Sequence, residues 1–407
     1  MRMKHIAAAL LALAPAFPAA ALDIDQYLRA HAGVNSASGG QTCFGLAGAE
    51  AKYRLGNECG VYGELLLGQR LLDSADGQVK GYAMLNLGNR AASSNAARPQ
   101  GGWDVGLPQA YVAIENMSSL GGATLWAGRR YYKRESMHLT DFMYWNPSGL
   151  GGGIENVRVG GLQVSYAFLH DDRETMPNMQ VGDTASRHDF QLRGWQVNPG
   201  GSLELGLTLI HGNGGEQRHG GSMITVQHRQ KNVFGAGDNR LVLQWGTGAG
   251  ADNGATGDTA NGSDVHRLRI MDGWQAQVTP RFGGELLLLW QRDTAHDPAK
   301  EKTWASAGGR MSYGVTDHVK LLADIGHDRV APKHGDARRL TKFTGAVALS
   351  SGRRYFDRPE LRLFFTHARW NAAARAAAAS GDPLSAGGIF GTAFRGSTVG
   401  LAFENNW

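Results

Sequence analysis

The sequence lacks the features that mark most soluble enzymes and helical membrane proteins. It has 407 residues with only 2 Cys and 12 Pro. Beyond the N-terminal segment its longest strongly apolar run is Leu286–Trp290, far short of the roughly 20 residues that a membrane helix needs. No window keeps apolar residues at the i, i+3, i+4, i+7 spacing of an amphipathic helix. Neither a helical bundle nor a helical membrane protein is therefore expected.

Charge and motif content exclude further classes of function. The formal net charge of +5 is small and is not clustered on any helix, so nucleic-acid binding is not expected. The nucleophile motif Gly-x-Ser-x-Gly of many hydrolases does not occur. His138, His228 and His266 do not show metal-ligand spacing, and solvated wall or loop positions are their default interpretation. We expect no enzyme activity, no metal and no cofactor.

The N-terminus predicts export. Arg2 and Lys4 precede the apolar stretch Ile6–Phe17, and small residues follow up to Ala21. This order is typical of a signal peptide, which we place at residues 1–21, with a single domain at 22–407. Cys43 and Cys59 form an even pair in an exported chain and predict one disulfide that closes a short loop.

What the chain does contain is alternation. In Ser202–Ile210 the leucines share one parity, and Glu204, Gly206 and Thr208 share the other, as in a strand with one apolar and one polar face. That pattern alone fits a soluble sandwich or a membrane barrel. The C-terminus favours the barrel, because Val399, Leu401, Phe403 and the final Trp407 share one parity and an aromatic end suits the interfacial girdle.

The connections indicate a transmembrane antiparallel β-barrel. Further alternating runs lie at Val61–Leu67, Leu241–Trp245, Leu286–Trp290 and Leu361–Trp370. Short turns such as Asn198–Gly201 alternate with longer polar stretches at 86–106, 171–189, 246–264 and 371–397, which suits periplasmic turns and extracellular loops. About 20 to 22 residues per strand with its connection predicts about 18 strands, and a barrel of about 16 also fits.

Several segments resemble one known family. Gly48–Cys59, with its run Lys-Tyr-Arg-Leu-Gly-Asn-Glu-Cys, is similar to the maltoporin family. The similarity continues through the barrel in Leu125–Tyr132, Asp141–Trp145, Asn198–Gly206 and Arg358–Pro359. It implies an all-β barrel of 18 strands in the Gram-negative outer membrane and a homotrimer. The implied function is passive uptake of maltose and maltodextrins over a slide of aromatic rings flanked by ionic tracks.

The resemblance also assigns individual residues. The slide aromatics it implies are Tyr27, Tyr62, Trp370 and Trp103, the last donated at the channel mouth by a neighbouring subunit. The ionic-track residues it implies are Arg29, Arg54, Glu64, Arg134 and Asp141. An inward-folded third loop, here Tyr131–Tyr144, narrows the pore. Parity independently turns Tyr62 and Glu64 inward, opposite to Leu65 and Leu67.

The sequence also departs from the family pattern. Met143 replaces the tyrosine expected at the constriction, and Ser136 stands where a track aspartate is usual. Asn406 replaces the last slide aromatic, Asp238 lies where another is expected, and Pro108 occupies a common arginine position. The slide is therefore thinner at the exit, which points to a shorter or different sugar.

Three alternatives stay open at this level. Within the channel class, the protein is a sucrose-type or general porin. In another class it is an outer-membrane lipase or protease. In a third it is a barrel with a plugged lumen whose outer loops serve as a docking surface for phage.

Overall fold

A computed structural model describes residues 22–89, 103–171, 185–213, 218–233, 235–252 and 257–406. The predicted signal peptide at 1–21 and the terminal Trp407 lie outside these ranges. The strands are β1 Asp23–Asn35, β2 Val61–Ser74, β3 Gly77–Asn89, β4 Asp104–Met117, β5 Ala123–Arg130, β6 Glu135–Met137, β7 Phe142–Trp145, β8 Gly149–Val159, β9 Leu162–Asp171, β10 Ala185–Asn198, β11 Gly201–Gly212, β12 Gly221–Val233, β13 Gly237–Gly248, β14 His266–Gln277, β15 Phe282–Thr294, β16 Lys302–Gly314, β17 Val319–Pro332, β18 Arg338–Ser350, β19 Glu360–Trp370 and β20 Arg395–Asn406.

Eighteen of these strands form one closed antiparallel barrel. Each pairs with its neighbours along the chain, and β5 pairs with β8 because β6 and β7 form a separate small sheet. Closure comes from β1, which pairs with β2 on one side and with β20 on the other. The closing register joins Tyr27 to Asn406 and Asn35 to Thr398. The predicted fold and the strand number of 18 are confirmed.

Side-chain alternation sorts the two faces of the barrel. In β11 Leu207 and Leu209 are exposed on the outside, whereas Glu204 and Thr208 are buried inside. An apolar outer face suits lipid and a polar inner face suits a lumen. The parity predicted from the leucines of β11 is confirmed.

The connections alternate in length as predicted. At one end β10 and β11 are joined only by Pro199 and Gly200. At the other end three of the predicted loops are shorter than expected, because β3 continues to Asn89, β10 begins at Ala185 and β20 begins at Arg395. The last connection contains the short helix α1 (Ala372–Ala377), whose first turn is capped by the Asn371 side chain. None of the helices in the described ranges is long and apolar enough to cross a membrane.

Candidate functional site

Within the described ranges, three segments fold into the barrel and pack against its inner wall, and the connection between β19 and β20 packs on one of them through Phe390. The first loop (36–60) joins β1 and β2, and the third loop (131–148) joins β5 and β8. The short-turn end contributes the segment 351–359 between β18 and β19, which we call the lower segment. The third loop was predicted to fold inward, and this is confirmed. The other two were not predicted.

A disulfide closes the first loop, and the loop packs against the inner wall of the barrel. Cys43 and Cys59 form the predicted disulfide. The side chain of Asn57 accepts a hydrogen bond from Phe44 N (2.6 Å) and donates one to Phe44 O (2.9 Å). The Tyr53 ring lies on Gly308 and Gly326, a cross-strand pair of β16 and β17. A Cβ at either glycine would overlap this ring, so the wall leaves room for it.

Ion pairs hold the first loop at two places. Glu58 pairs with Arg54 (3.1 Å) and with Arg29. Burial on its own would raise the pKa of Glu58, but Arg54 and Arg29 outweigh it and lower that pKa to about 2. Glu50 pairs with Arg267 (2.8 Å) and Arg269 of β14. Burial likewise opposes the effect of these arginines, and the net pKa of Glu50 is about 2. Both carboxylates are therefore charged at neutral pH.

The third loop docks on the wall of β10 to β15. Glu135 forms ion pairs with Arg193 (2.8 Å), Arg229 (2.6 Å) and Arg240 (3.5 Å). Trp145 packs on Gly206 of β11, where a Cβ would overlap its ring. The two inward loops also touch each other, since Arg54 N donates to Leu139 O (3.3 Å).

The lower segment closes part of the lumen from the other end. Tyr355 is buried and donates to Glu285 of β15 (2.8 Å). Arg358 donates to Glu404 of β20 (3.2 Å). No alternation signal marks a segment of this kind, because it is neither a strand nor a long polar loop.

Two of the predicted aromatics face each other on the wall of β1 and β2. The Tyr27 and Tyr62 ring centroids are 6.4 Å apart, and both side chains are partly exposed to the lumen. Cross-strand register pairs Tyr27 with Glu64 and Arg29 with Tyr62, so these four residues share one face. The Arg29 guanidinium lies 5.3 Å from the Tyr62 ring centroid, and the Tyr62 hydroxyl donates to Glu64. We call this group the tyrosine face.

The predicted residues of the third loop border the tyrosine face. Arg29 donates to Asp141 (3.2 Å). Arg134 stacks on Tyr131 at 3.6 Å from the ring centroid, and its Nη1 lies 3.6 Å from Met143 Sδ. The side chain of Asp141 is exposed, and those of Arg134 and Met143 are partly exposed. Cations and carboxylates thus flank the aromatic pair.

The structure places three predicted residues elsewhere. Arg54 is only 6% exposed and is bound to Glu58, Glu404 (2.8 Å) and the Tyr27 hydroxyl (2.7 Å). Trp370 is 5% exposed, and its ring packs between Phe44 and Phe390 at 6.2 and 5.9 Å. Trp103 is 59% exposed beside the start of β4. Their assigned roles stay predictions. Among the predicted residues, the tyrosine face brings two aromatic rings together with Arg29 and Glu64.

A second aromatic pair was missed by the sequence analysis. Tyr82 of β3 and Tyr111 of β4 are stacked with centroids 4.7 Å apart, and Arg130 lies 4.9 Å over Tyr111. The Tyr82 hydroxyl donates to Glu115 (2.6 Å). Parity was the available signal, because the neighbouring positions Leu85 and Val112 point outward.

Comparison with known proteins agrees with this architecture. The family model described as LamB porin matches residues 22–407. The fold is similar to Acinetobacter baumannii OccAB1 (7% identity, TM-score 0.54), with 95% of this chain and 96% of that chain covered. Salmonella typhi OmpF in complex with daunomycin is 9% identical with a TM-score of 0.52, over 95% and 98% of the two chains. Pseudomonas aeruginosa OpdK with vanillate is 14% identical with a TM-score of 0.50, over 95% and 99%.

These structural likenesses show the fold alone. The family match covers the whole barrel and confirms the resemblance that the sequence motifs indicated. A chain of this family is a porin, which forms a channel in the Gram-negative outer membrane. The chain belongs to the LamB porin family.

Proposed function

We propose that this porin is a channel for passive, facilitated diffusion of maltose and short maltodextrins. The observation that carries the proposal is the tyrosine face, in which Tyr27 and Tyr62 lie 6.4 Å apart beside Arg29 and Glu64. A glucosyl ring is apolar on its faces and polar at its edge. Aromatic rings match the faces, and charged donors and acceptors match the hydroxyls.

Position in the lumen supports a role in transport. The tyrosine face lies on the wall of β1 and β2, and Asp141 of the third loop reaches Arg29. A solute that passes the third loop would meet the aromatic pair at this point. Binding there has to be weak enough for release, and two partly exposed rings offer a small contact area of that kind.

The remainder of the path supports the shorter sugars. Below the third loop lies a cavity of about 260 Å³ whose lining combines apolar residues with polar and charged ones, among the latter His138, Arg229, Asp238 and Arg240. Asn406 and Asp238 occupy exit positions where the family places aromatics. A long maltodextrin needs several stacking sites in series, whereas maltose needs few. We therefore expect affinity to level off at short chain lengths.

The quaternary state belongs to the same proposal. We expect a homotrimer, as the family resemblance implies. Trp103 is exposed near the start of β4, which leaves its ring available to a neighbouring subunit at the channel mouth. We also expect the outer loops to serve as a docking surface for phage.

A sucrose-type or general porin is the second candidate. The burial of Trp370 behind Phe44 and Phe390 favours it, because the slide is then reduced to the tyrosine face. Such a channel would pass small sugars without a saturable preference for maltodextrins.

The deciding experiment is ion current through the purified protein in a planar bilayer. Maltose, maltooligosaccharides of increasing length and sucrose are titrated on one side. Saturable block by maltose that strengthens little beyond the trisaccharide would support the proposal. Current that is indifferent to every sugar would refute it and leave a general porin. Preferential block by sucrose would identify the sucrose-type channel.

A further inference from the structure

We infer that the outer rim of the barrel carries a binding surface for the phosphate groups of membrane lipid. Four exposed arginines form it: Arg329 of β17, Arg339 of β18, Arg369 of β19 and Arg395 of β20. We call them the arginine patch. Each lies near the strand end opposite the short turns such as that between β10 and β11. The inference concerns the outside of the barrel and does not depend on which solute crosses it.

Alternation shows that the arginine patch faces outward. Arg329 shares the parity of Ile325, and Arg369 shares the parity of Phe365. Both apolar side chains are exposed on the outer face, as are Phe343 and Val399 on the other two strands. The inward positions between them are buried and face the lumen. The four guanidinium groups therefore point toward the surrounding membrane.

Strand register places the four arginines side by side. Arg329 is the register partner of Arg339, and Arg369 is the register partner of Arg395. Thr341, the next outward residue after Arg339, pairs with Arg369. Directly opposed residues have Cβ atoms about 4.5 to 5.5 Å apart, and like charges at that distance destabilise a sheet. The two neighbouring arginine pairs would therefore be stabilised by an anion bound between their guanidinium groups.

No carboxylate in the chain supplies that anion within the described ranges. The ion pairs found there use other arginines, such as Arg310 and Arg362 inside the lumen. None involves the arginine patch. The four guanidinium groups thus have no carboxylate partner among the described residues, which leaves them open to an anionic ligand.

The layers beneath the patch match an amphiphile. One step toward the membrane centre, His327 contacts Thr341 (2.8 Å) and His367 contacts Ser397 (2.8 Å). The next step reaches Ile325, Phe343 and Phe365, which form an exposed apolar strip. A lipid with acyl chains on this strip brings its headgroup to the level of the arginines. A free phosphate ion would gain nothing from the strip.

Within the described ranges, outward arginines that are register partners of each other lie on β17 to β20. Arg129 of β5 and Arg292 of β15 also face outward near this rim, but their partners are Ala110, Leu150, Leu268 and Thr303. In the described part of β9 to β11 the matching outward positions near the same rim are His170, Ser186 and His211. These are weakly basic or neutral groups rather than arginines. A general interfacial girdle would run around the whole rim, so the arginine patch is a local site. Arginine binds phosphate oxygens in bidentate fashion, and two opposed pairs suit a lipid with two phosphate groups.

The test measures lipid binding to the purified full-length protein by native mass spectrometry. The lipids are diphosphorylated lipid A and the same lipid with both phosphates removed. The test variant replaces the patch, R329Q/R339Q/R369Q/R395Q. The matched control, R70Q/R158Q/R281Q, removes three exposed positive charges from the opposite rim, outside the lumen. We expect wild type and control to bind the phosphorylated lipid equally and the test variant to bind at least about tenfold more weakly.

Several outcomes would overturn the inference. They are equal binding by the test variant and wild type, equal binding of the dephosphorylated lipid, and full competition by millimolar inorganic phosphate. A change in oligomeric state without a change in lipid binding would assign the patch to a second copy of the chain. If the test variant does not fold, R329Q/R339Q and R369Q/R395Q are measured separately, each with an expected loss of about threefold or more.

Discussion

Tyr62 combines three contacts in one side chain. Its ring faces Tyr27, its face is approached by Arg29, and its hydroxyl donates to Glu64. In the proposed binding site the phenol therefore belongs both to the aromatic pair and to the charged groups beside it. This double role makes it the most informative single position in the lumen.

We expect Tyr62→Ala to weaken maltose block of the channel roughly tenfold, because half of the aromatic pair is lost. Tyr62→Phe should keep most of the affinity, since the ring stays. The measurement is sugar block of single-channel current. Tyr313→Ala removes an exposed tyrosine on the outer face and should leave the block unchanged. Unaltered block in Tyr62→Ala would speak against the tyrosine face as the binding site.

A second residue-scale prediction adds what the exit lacks. Asn406→Trp places an aromatic beside the closing register pair of Tyr27. If stacking sites in series govern chain-length preference, this variant should bind maltohexaose several-fold more tightly while maltose affinity changes little. Titration of current block with both sugars checks it. Asn406→Gln is the control, and equal behaviour of the two variants would contradict the argument.

Glu58 gives a prediction about pH. Its pKa is depressed from 4.5 to about 2 in the folded protein, so its ion pairs contribute full stability above about pH 4.5. That contribution is lost as the pH falls through about 2. We expect protease resistance of the first loop to be constant between about pH 5 and pH 7 and to fall near pH 2 to 3.

Two variants distinguish the contribution of the Glu58 carboxylate from that of other carboxylates. Glu58→Gln should loosen the first loop already at neutral pH, because Arg29 and Arg54 lose their buried partner. Glu301→Gln, which removes an exposed pair with Lys333, should not. A first loop that becomes protease-sensitive between pH 5 and pH 7 in the wild type would be inconsistent with the depressed pKa.

At the scale of elements, glycines on the inner wall decide where the loops dock. Gly206 receives Trp145 of the third loop, and Gly308 with Gly326 receives Tyr53 of the first loop. These glycines are required by the close approach of an aromatic ring rather than by backbone conformation. Side-chain parity turns them inward, and the loops then occupy the space they leave.

We expect Gly206→Val to displace Trp145 and with it the third loop, since the new side chain would occupy the position of the ring. The open-channel current should rise and sugar block should weaken. Gly345→Val is the control, because Gly345 on β18 faces outward and a Cβ there meets only an ordinary contact with Phe343. The prediction fails if both variants conduct like the wild type.

At the scale of the whole molecule, closure of the barrel depends on the two ends of the chain. β1 and β20 pair from Tyr27–Asn406 to Asn35–Thr398, and Arg54 of the first loop binds Glu404 across the same seam. The first loop therefore contacts the closing strands β1 and β20 from inside the lumen.

We expect the purified protein to be a trimer by analytical ultracentrifugation in mild detergent. Trp103→Ala should weaken sugar block in the trimer, if the ring serves a neighbouring channel, and should leave its mass unchanged. A monomer with full sugar block would contradict both the trimer and the donated ring.

The alternation in the sequence by itself determined the barrel, its direction of alternation and the inward orientation of Tyr62 and Glu64, whereas Tyr27 and Arg29 of the tyrosine face came from the family resemblance. The physical reason is local: a strand sends successive side chains to opposite faces, so Leu207 and Leu209 of β11 had to face lipid once Glu204 faced the lumen. The same rule turned Tyr62 and Glu64 inward. The disulfide between Cys43 and Cys59 could also be predicted, because the chain carries an export signal and has two cysteines.

Only the tertiary structure decided what fills the lumen. Parity states that a residue points inward but not what covers it there, and Trp370 points inward yet lies beneath Phe44 and Phe390. The first loop docks on Gly308 and Gly326, glycines far away in the sequence. Contacts of that range depend on the shape of the closed barrel, and alternation along one strand carries no information about them.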